Sequence, residues 1–322
     1  MIPINHYLPS TSRIVLGCMG FGGGWNNEPI TKSHIQEMHE AIDAALDVGI
    51  NFLDHADIYT LGKAEQVFAK VIQQRPELAE QLVIQTKCGI RFGDTQGRPN
   101  RYDFSAEWIK TAVNDSLTRL NVEQVDVLML HRPDPLMEAA EVAEVLHELH
   151  NSGKIKNVAV SNMHMHQITW LQQHLDLPII ANQLEMSLLQ HDFISEGLLV
   201  GMKQGADHHF SLGLLEYSQT QNMQIQAWGS LAKGLFSGAS LDNQPQNVID
   251  TAQTVARLAA EYGTNQEAIV LAWLMRHPAQ IQPVIGTTNP DRIRASGKSA
   301  HISLEREHWY ELLKNIRGVD VP

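Results

Sequence analysis

The chain predicts a closed (β/α)8 barrel, and three observations predict it. Eight short apolar strand patterns recur along the 322 residues, near 14, 51, 82, 125, 155, 179, 225 and 283. Helical patterns separate nearly all of them, so neighbouring strands are joined by crossovers and run parallel. Residues 125–131 are almost wholly apolar, as in a strand buried on both faces. Eight such units point to closure rather than an open sheet. A single domain over residues 1–322 is expected, a TIM barrel with extra helices and long top-face loops.

The elements follow in order. Arg13-Ile14-Val15-Leu16-Gly17 forms the first strand and enters a glycine-rich turn, Gly20-Phe21-Gly22-Gly23-Gly24-Trp25. That turn lacks a GxGxxG leading into a helix, so it is no dinucleotide fingerprint. Its glycines either bend the chain or admit a ligand close to the backbone, and Gly22 is a candidate of the second kind. Ser33 and Gln36 have capping-box spacing, while Ile35, Met38, Ile42, Ala45 and Leu46 share one face of a helix that Gly49 stops. Strand 50–54 ends on Asp54, and Tyr59 lies in the loop after it. Helix 63–73 buries Val67, Phe68, Val71 and Ile72. Strand 82–87 ends on Lys87, and a polar loop rich in Gly, Arg and Asn fills 90–102. Helix 105–120 sets Trp108, Ile109, Ala112, Val113, Leu117 and Leu120 at helical spacing, and strand 125–131 ends on His131. Helix 137–151 presents Val142, Val145, Leu146 and Leu149 before Gly153. Strands 155–161 and 179–183 flank a helix near 165–174, and strand 225–228 ends in Ala227-Trp228. Helices near 248–262 and 265–277 precede the last strand, Pro283-Val284-Ile285. Residues 190–212, with Gly201, Gly205 and His208-His209, break the repeat. They read as a loop insertion on the top face, either a lid or partner contact or a surface loop without chemistry.

Bulk composition excludes several classes. Hydrophobic content of 43% and a mean hydropathy of −0.20 give ample core. A formal charge of −12 repels nucleic acid and anionic membranes, so neither is an expected partner. The two cysteines, Cys18 and Cys88, have no metal-ligand spacing and suit a reducing compartment. The first residues show no signal-peptide pattern, and no apolar run nears the roughly 18–20 residues of a membrane span. A cytoplasmic protein is expected, its oligomeric state open.

In a (β/α)8 barrel the carboxyl ends of the strands meet at the top face, where active sites lie. A lone strand-end Asp or His is most often structural. Asp54, Lys87 and His131 on three neighbouring strands, with Tyr59 close behind Asp54, bring four different titratable groups together. Such a set suits general acid catalysis. A free tyrosine has a pKa of about 10, and a nearby ammonium such as Lys87 is expected to pull it down. Asp54 would hold Lys87 charged, and His131 would donate to a substrate carbonyl. Protonating a developing alkoxide is what carbonyl reduction asks of a protein, and the hydride must come from a nicotinamide. Ser161-Asn162 and Asn182-Gln183 provide amides that grip a carboxamide or else cap the next helix. Trp228 is a stacking face or a core residue. Gly286-Thr287-Thr288-Asn289-Pro290-Asp291-Arg292 reads as a phosphate seat at a helix start.

These pieces resemble the aldo-keto reductase superfamily along nearly the whole chain. They are Asp54-xxxx-Tyr59, Thr86-Lys87, Leu130-His131-Arg132-Pro133-Asp134, Val160-Ser161-Asn162, Asn182-Gln183 and Gly286-Thr287-Thr288-Asn289-Pro290-xx-Arg292. Asp54-His55-Ala56-Asp57-Ile58-Tyr59, Lys87-Cys88-Gly89-Ile90, His131 to Met137 and Val319-Asp320-Val321-Pro322 are similar to its bacterial YdhF-like oxidoreductase branch. The resemblance implies Tyr59 as proton donor, Lys87 and Asp54 as its tuning pair and His131 as the carbonyl-orienting group. It implies NADP(H) as cofactor: Ser161, Asn162 and Gln183 hold the carboxamide, Trp228 stacks on the nicotinamide, and Gly229, Ser230 and Leu231 pass under the pyrophosphate. Thr287, Thr288 and Arg292 face the 2′-phosphate. Gly286 stands where many relatives carry a lysine, which weakens that clamp, and Thr60 replaces the usual glycine after the tyrosine.

Two other readings stay open from the sequence. One is a nucleotide sensor that binds NADPH and turns over poorly, since channel-associated regulatory subunits share the barrel and the tetrad. The other is a metal-dependent barrel hydrolase, suggested by 16 histidines, although only His131 ends a strand and no metal-ligand set forms. A small-molecule aldehyde or ketone is the expected substrate.

Overall fold

A computed structural model describes all residues 1–322. Eight strands close a parallel barrel: β1 (Val15–Gly17), β2 (Phe52–Asp54), β3 (Val83–Cys88), β6 (Val125–Leu130), β7 (Ile155–Ser161), β8 (Ile179–Glu185), β9 (Gln224–Trp228) and β10 (Gln282–Ile285). The remaining two strands, β4 (Ile90–Arg91) and β5 (Arg101–Tyr102), pair antiparallel as a small hairpin. Spatial order follows chain order round the ring, and β10 closes on β1 through Val15↔Val284. The expected fold class is the observed one.

The helices form an outer layer: α1 (Lys32–Asp47), α2 (Lys63–Gln74), α3 (Ala106–Leu120), α4 (Ala139–Asn151), α5 (Met165–Gln172), α6 (Asp192–Leu198), α7 (Leu214–Thr220), α8 (Gln246–Glu261), α9 (Gln266–Met275), α10 (Pro290–Gly297) and α11 (Arg306–Arg317). Their starts are set by local chemistry. Thr31, not the expected Ser33, caps α1: its hydroxyl accepts from the His34 amide, and the His34 ring reaches back to Thr31 N–H. Ser105, Asn265 and Asn289 cap α3, α9 and α10 in the same way. Gly49 takes the left-handed turn after α1, with φ +73°.

Two large apolar masses follow from the alternation of strand side chains, beside a small cluster of Ala56, Tyr59 and Ala64. The larger lies between barrel and helices. The smaller fills the barrel's lower interior with Val15, Phe52, Val127, Met129, Ala159, Ala181 and Val284. A 3₁₀ turn at Pro3–His6 plugs the base, where Ile2, Ile4 and Leu8 join that cluster. The interior is thus a packed core whose only large opening is at the carboxyl ends of the strands.

Residues 190–212 carry short helical elements within the expected insertion. They contain α6 and a 3₁₀ turn at Lys203–Asp207, and α7 follows. Phe193 of α6 packs against Trp273 and His277 at the end of α9, with ring centroids 5.9 and 6.4 Å away. Phe193, Ile194, Ser195 and Leu199 are buried, while residues 200–212 are exposed or half-buried. No helix is long and apolar enough to cross a membrane.

Candidate active site

The top of the barrel holds a cavity of about 590 Å³. Asp54, Tyr59, His131, Ser161, Asn162, Gln183, Trp228, Gly229, Ser230, Leu231, Gly286, Thr287 and Arg292 line it. Lys87 lies immediately beneath, fully buried. The register explains the gathering: Gly17↔Asp54, Asp54↔Gln85 and Lys87↔Met129 bring consecutive strand ends to one rim. Two candidates fall elsewhere. Gly22 packs against the start of α2, where a Cβ would meet the Lys63 backbone at 2.8 Å, and Thr288 lies beside Gly20. Asn182 also turns away, its amide donating to the Met163 carbonyl (2.8 Å), because it faces the opposite side of β8 from Gln183.

Lys87 uses all three of its ammonium donors. They reach Asp54 Oδ1 at 2.6 Å, Tyr59 Oη at 2.8 Å and the His55 carbonyl at 3.0 Å. Because Tyr59 Oη accepts from Lys87, its own hydrogen is free for the cavity. Burial opposes the Lys87 charge, yet the Asp54 carboxylate and the Tyr59 phenol outweigh it, so the ammonium pKa is raised. Tyr59 departs from expectation. Burial pushes its pKa up to about 12, and the opposing pull of Lys87 offsets only part of that. The phenol therefore stays protonated through the neutral range.

His131 is held well below its usual pKa by burial, and then by the charges of Lys87 and Arg132. Its imidazole is neutral. Its Nδ1 is buried without a partner, and its ring meets Tyr59 edge to face at 6.0 Å. Opposite, Ser161 Oγ donates to the Gln183 carbonyl (3.0 Å), Asn162 Nδ2 donates to Ser161 Oγ (2.6 Å), and Trp228 Nε1 donates to Asn162 Oδ1 (3.2 Å). Asn162 sits at φ +59°, a conformation asparagine tolerates better than most residues.

At the far end, Arg292 Nε donates to Glu267 (3.2 Å), and its Nη2 donates to Ser237 Oγ (3.0 Å). Asn289 Oδ1 already accepts from the first amides of α10, so the helix start is partly occupied by its own cap. Sequence reasoning missed Lys233, which lines this end with no ion-pair partner, at φ +56°. It follows Gly229-Ser230-Leu231 closely enough that counting past that stretch would have found it. Met19 and Arg132 also line the cavity unforeseen, and Trp25 joins them from the glycine-rich turn; the Arg132 guanidinium lies 5.6 Å from the Trp228 ring centre. No three His, Cys, Asp or Glu side chains converge to hold a metal.

A neutral histidine, a lysine-bound phenol and a flat indole surround one cavity at the top of the barrel, an arrangement suited to carbonyl oxidoreduction. A model of the Aldo/keto reductase family matches residues 13–316, and the chain belongs to that family. It is 35% identical to the 6-dehydroglucose reductase of Agrobacterium fabrum, over 96% of each chain. It is 31% identical to oxidoreductase YdhF of Escherichia coli, over 98% of this chain and 96% of that one. Among solved structures, the glycerol dehydrogenase of Gluconobacter oxydans superposes with a TM-score of 0.79 at 24% identity, covering 97% of this chain and 94% of that one. An aldo-keto reductase of Klebsiella pneumoniae in complex with NADPH gives 0.72 at 20% identity, covering 97% and 92%.

Proposed function

We propose that this protein reduces an aldehyde or ketone to the alcohol, with NADPH as hydride donor and Tyr59 as general acid. The observation that carries the reading is the Lys87 ammonium, whose three donors are all committed and which leaves the Tyr59 hydroxyl hydrogen facing the cavity. As negative charge grows on the carbonyl oxygen, the phenol gives up its proton, and the Lys87 charge 2.8 Å away stabilises the phenolate that forms. Asp54 keeps Lys87 charged and aimed. His131, neutral with its proton on Nε2, donates to the same carbonyl oxygen and fixes its approach.

The residues present fit a nicotinamide dinucleotide. Trp228 offers a flat half-buried face, and Asn162 and Gln183 offer amides beside it. The paired cations Lys233 and Arg292, with Thr287, suit a 2′-phosphate despite Gly286, and favour NADPH over NADH. When bound, that cofactor supplies the hydride; the proton belongs to the chain. Two relatives are named 6-dehydroglucose reductases. A cavity wall mixing indole faces with Arg132 suits a hexose-derived aldehyde, with apolar ring faces and polar edges.

The test is NADPH consumption by the purified protein with a panel of simple aldehydes, dicarbonyls and 6-oxidised hexoses, with the alcohol product quantified. One alcohol formed per NADPH oxidised supports the reading. Tight NADPH binding without turnover on any carbonyl contradicts it and favours a nucleotide sensor, and absence of binding defeats both.

A further inference from the structure

Beneath the cavity floor, four glutamine side chains form one hydrogen-bonded chain across the barrel. Gln282 Nε2 donates to the Ser12 carbonyl (2.7 Å), and Gln226 Nε2 donates to Gln282 Oε1 (3.1 Å). Gln226 Oε1 accepts from Gln183 Nε2 (3.0 Å) and from Gln85 Nε2 (3.1 Å). Gln85 Nε2 also donates to Asp54 Oδ1, the oxygen that binds Lys87. Gln183, Gln226 and Gln282 sit at one level on β8, β9 and β10, while Gln85 reaches Gln226 from the opposite wall of the barrel. Gln85, Gln226 and Gln282 are fully buried, and none of them lines the cavity.

The polarity of this chain is fixed from its end. A backbone carbonyl only accepts, so Gln282 must turn its nitrogen to Ser12 and its oxygen to Gln226. Gln226 must then present nitrogen to Gln282 and oxygen to both Gln183 and Gln85. Gln183 is left with its Oε1 free of protein partners at the cavity wall, where an oxygen accepts from a carboxamide nitrogen. Gln85 gives its nitrogen to Asp54, and its own oxygen stays buried without a partner. An apolar filling of this layer, like the Phe52, Val127 and Met129 around it, would avoid that orphan and its desolvation cost.

We infer that this amide chain orients Gln183 toward the carboxamide of a bound nicotinamide and steadies Asp54 beneath Tyr59. Gln85, Gln226 and Gln282 are therefore positioning residues for a site that none of them enters. The inference rests on the proposed nicotinamide-dependent reading of the cavity. It makes the cofactor grip and the proton-donating pair share one buried acceptor, Gln226 Oε1.

The experiment compares Gln85→Met, Gln226→Met, Gln282→Met and the triple variant by NADPH titration, NADH titration, kcat and thermal midpoint. Gln226→Met removes the acceptor that holds Gln183, so NADPH and NADH both weaken by the same factor, about tenfold for one lost hydrogen bond. Gln282→Met, which touches neither Gln183 nor cofactor, weakens both in the same direction because it frees Gln226 to flip. Gln85→Met lowers kcat about tenfold and leaves NADPH affinity unchanged. The triple variant removes the buried Gln85 orphan but strips Gln183, Asp54 and the Ser12 carbonyl of their glutamine partners, so affinity and kcat stay low even where its thermal midpoint matches wild type. Wild-type NADPH affinity in folded Gln226→Met and Gln282→Met overturns the inference and leaves the reductase reading intact. Recovery of affinity along with the midpoint in the triple variant also overturns it, because the glutamines would then serve stability alone. A wild-type protein that binds no NADPH defeats the underlying reading instead.

Discussion

Two buried charge clusters flank the loop from His55 to Tyr59, and they are built differently. On the cavity side, Asp54, Lys87 and Tyr59 form a matched set in which one ammonium meets one carboxylate, one phenol and one carbonyl. On the far side, toward α2 and α3, a second carboxylate stands unpaired near an ion pair. Glu65 is fully buried, accepts from Thr86 Oγ1 (2.7 Å) and pairs with Arg119 Nε (2.7 Å), which leaves Asp57 Oδ1 sealed without a partner. Burial first and Glu65 second push Asp57 up to about 8, against the weaker opposite pulls of Arg119 and Lys87. Burial alone therefore does not identify a working group. Only the first set presents a phenol hydrogen to a cavity; the far set ties Glu65 of α2 to Thr86 and to Arg119 of α3.

Removing Lys87 breaks the first set at its centre and carries the largest expected effect. Lys87→Met strands the Asp54 charge in the barrel and deprives the Tyr59 phenolate of its counter-charge. Expected are a stability loss of about 3–5 kcal/mol in denaturant titrations and a fall in kcat of about 10³-fold in NADPH oxidation assays. A variant within tenfold of wild-type kcat would place the proton donor elsewhere.

The second set gives a pH-dependent contrast. Asp57 has a folded pKa of about 8 against an ordinary 3.8, so between those values the folded protein holds a proton that the unfolded chain has released. Its contribution is fully present below about pH 4 and is lost as pH rises through 8. Asp57→Asn removes the titration, so the thermal midpoint of the variant relative to wild type should rise from pH 5 to about pH 8 and level off above it. A difference that does not change with pH contradicts the account of this cluster.

The loop between the two sets gives the smallest effect. Thr60 holds φ +47° and ψ +38°, left-handed angles that a β-branched residue rarely adopts, steadied by its hydroxyl donating between the Tyr59 carbonyl (2.7 Å) and the Phe21 carbonyl (2.8 Å). Thr60→Gly relieves the strain but loses that bond, so stability should change by less than about 1 kcal/mol. If kcat also stays within about threefold, the Lys87 set alone positions Tyr59; a larger fall assigns part of that task to the turn.

The barrel was legible because its signals are repeated. Strands such as Val125–Leu130 are too apolar to be anything but two-sided, and glycines such as Gly49 and Gly153 mark helix ends. The gathering of Asp54, Tyr59, Lys87 and His131 was legible because each of the four ends or closely follows a strand. Residues whose meaning depends on partners far away in the chain were not. Gln85, Gln226 and Gln282 look like unremarkable polar interruptions of apolar strands, and only closure brings Gln85 within reach of Gln226, 141 positions later. The direction of the Tyr59 shift was missed for a related reason: the sequence names the nearby cation but not the depth of burial that outweighs it. Within residues 190–212 the helix α6 went unread because seven residues are too few for its period to show.

The most direct test of the central claim is Tyr59→Phe, with NADPH binding and carbonyl turnover measured on the same preparation. The substitution removes one hydroxyl and keeps the ring against His131. The account predicts a kcat lowered by about 10³-fold with NADPH affinity within about threefold of wild type. Undiminished turnover would contradict it, because the proton would then come from a group other than the phenol that Lys87 holds.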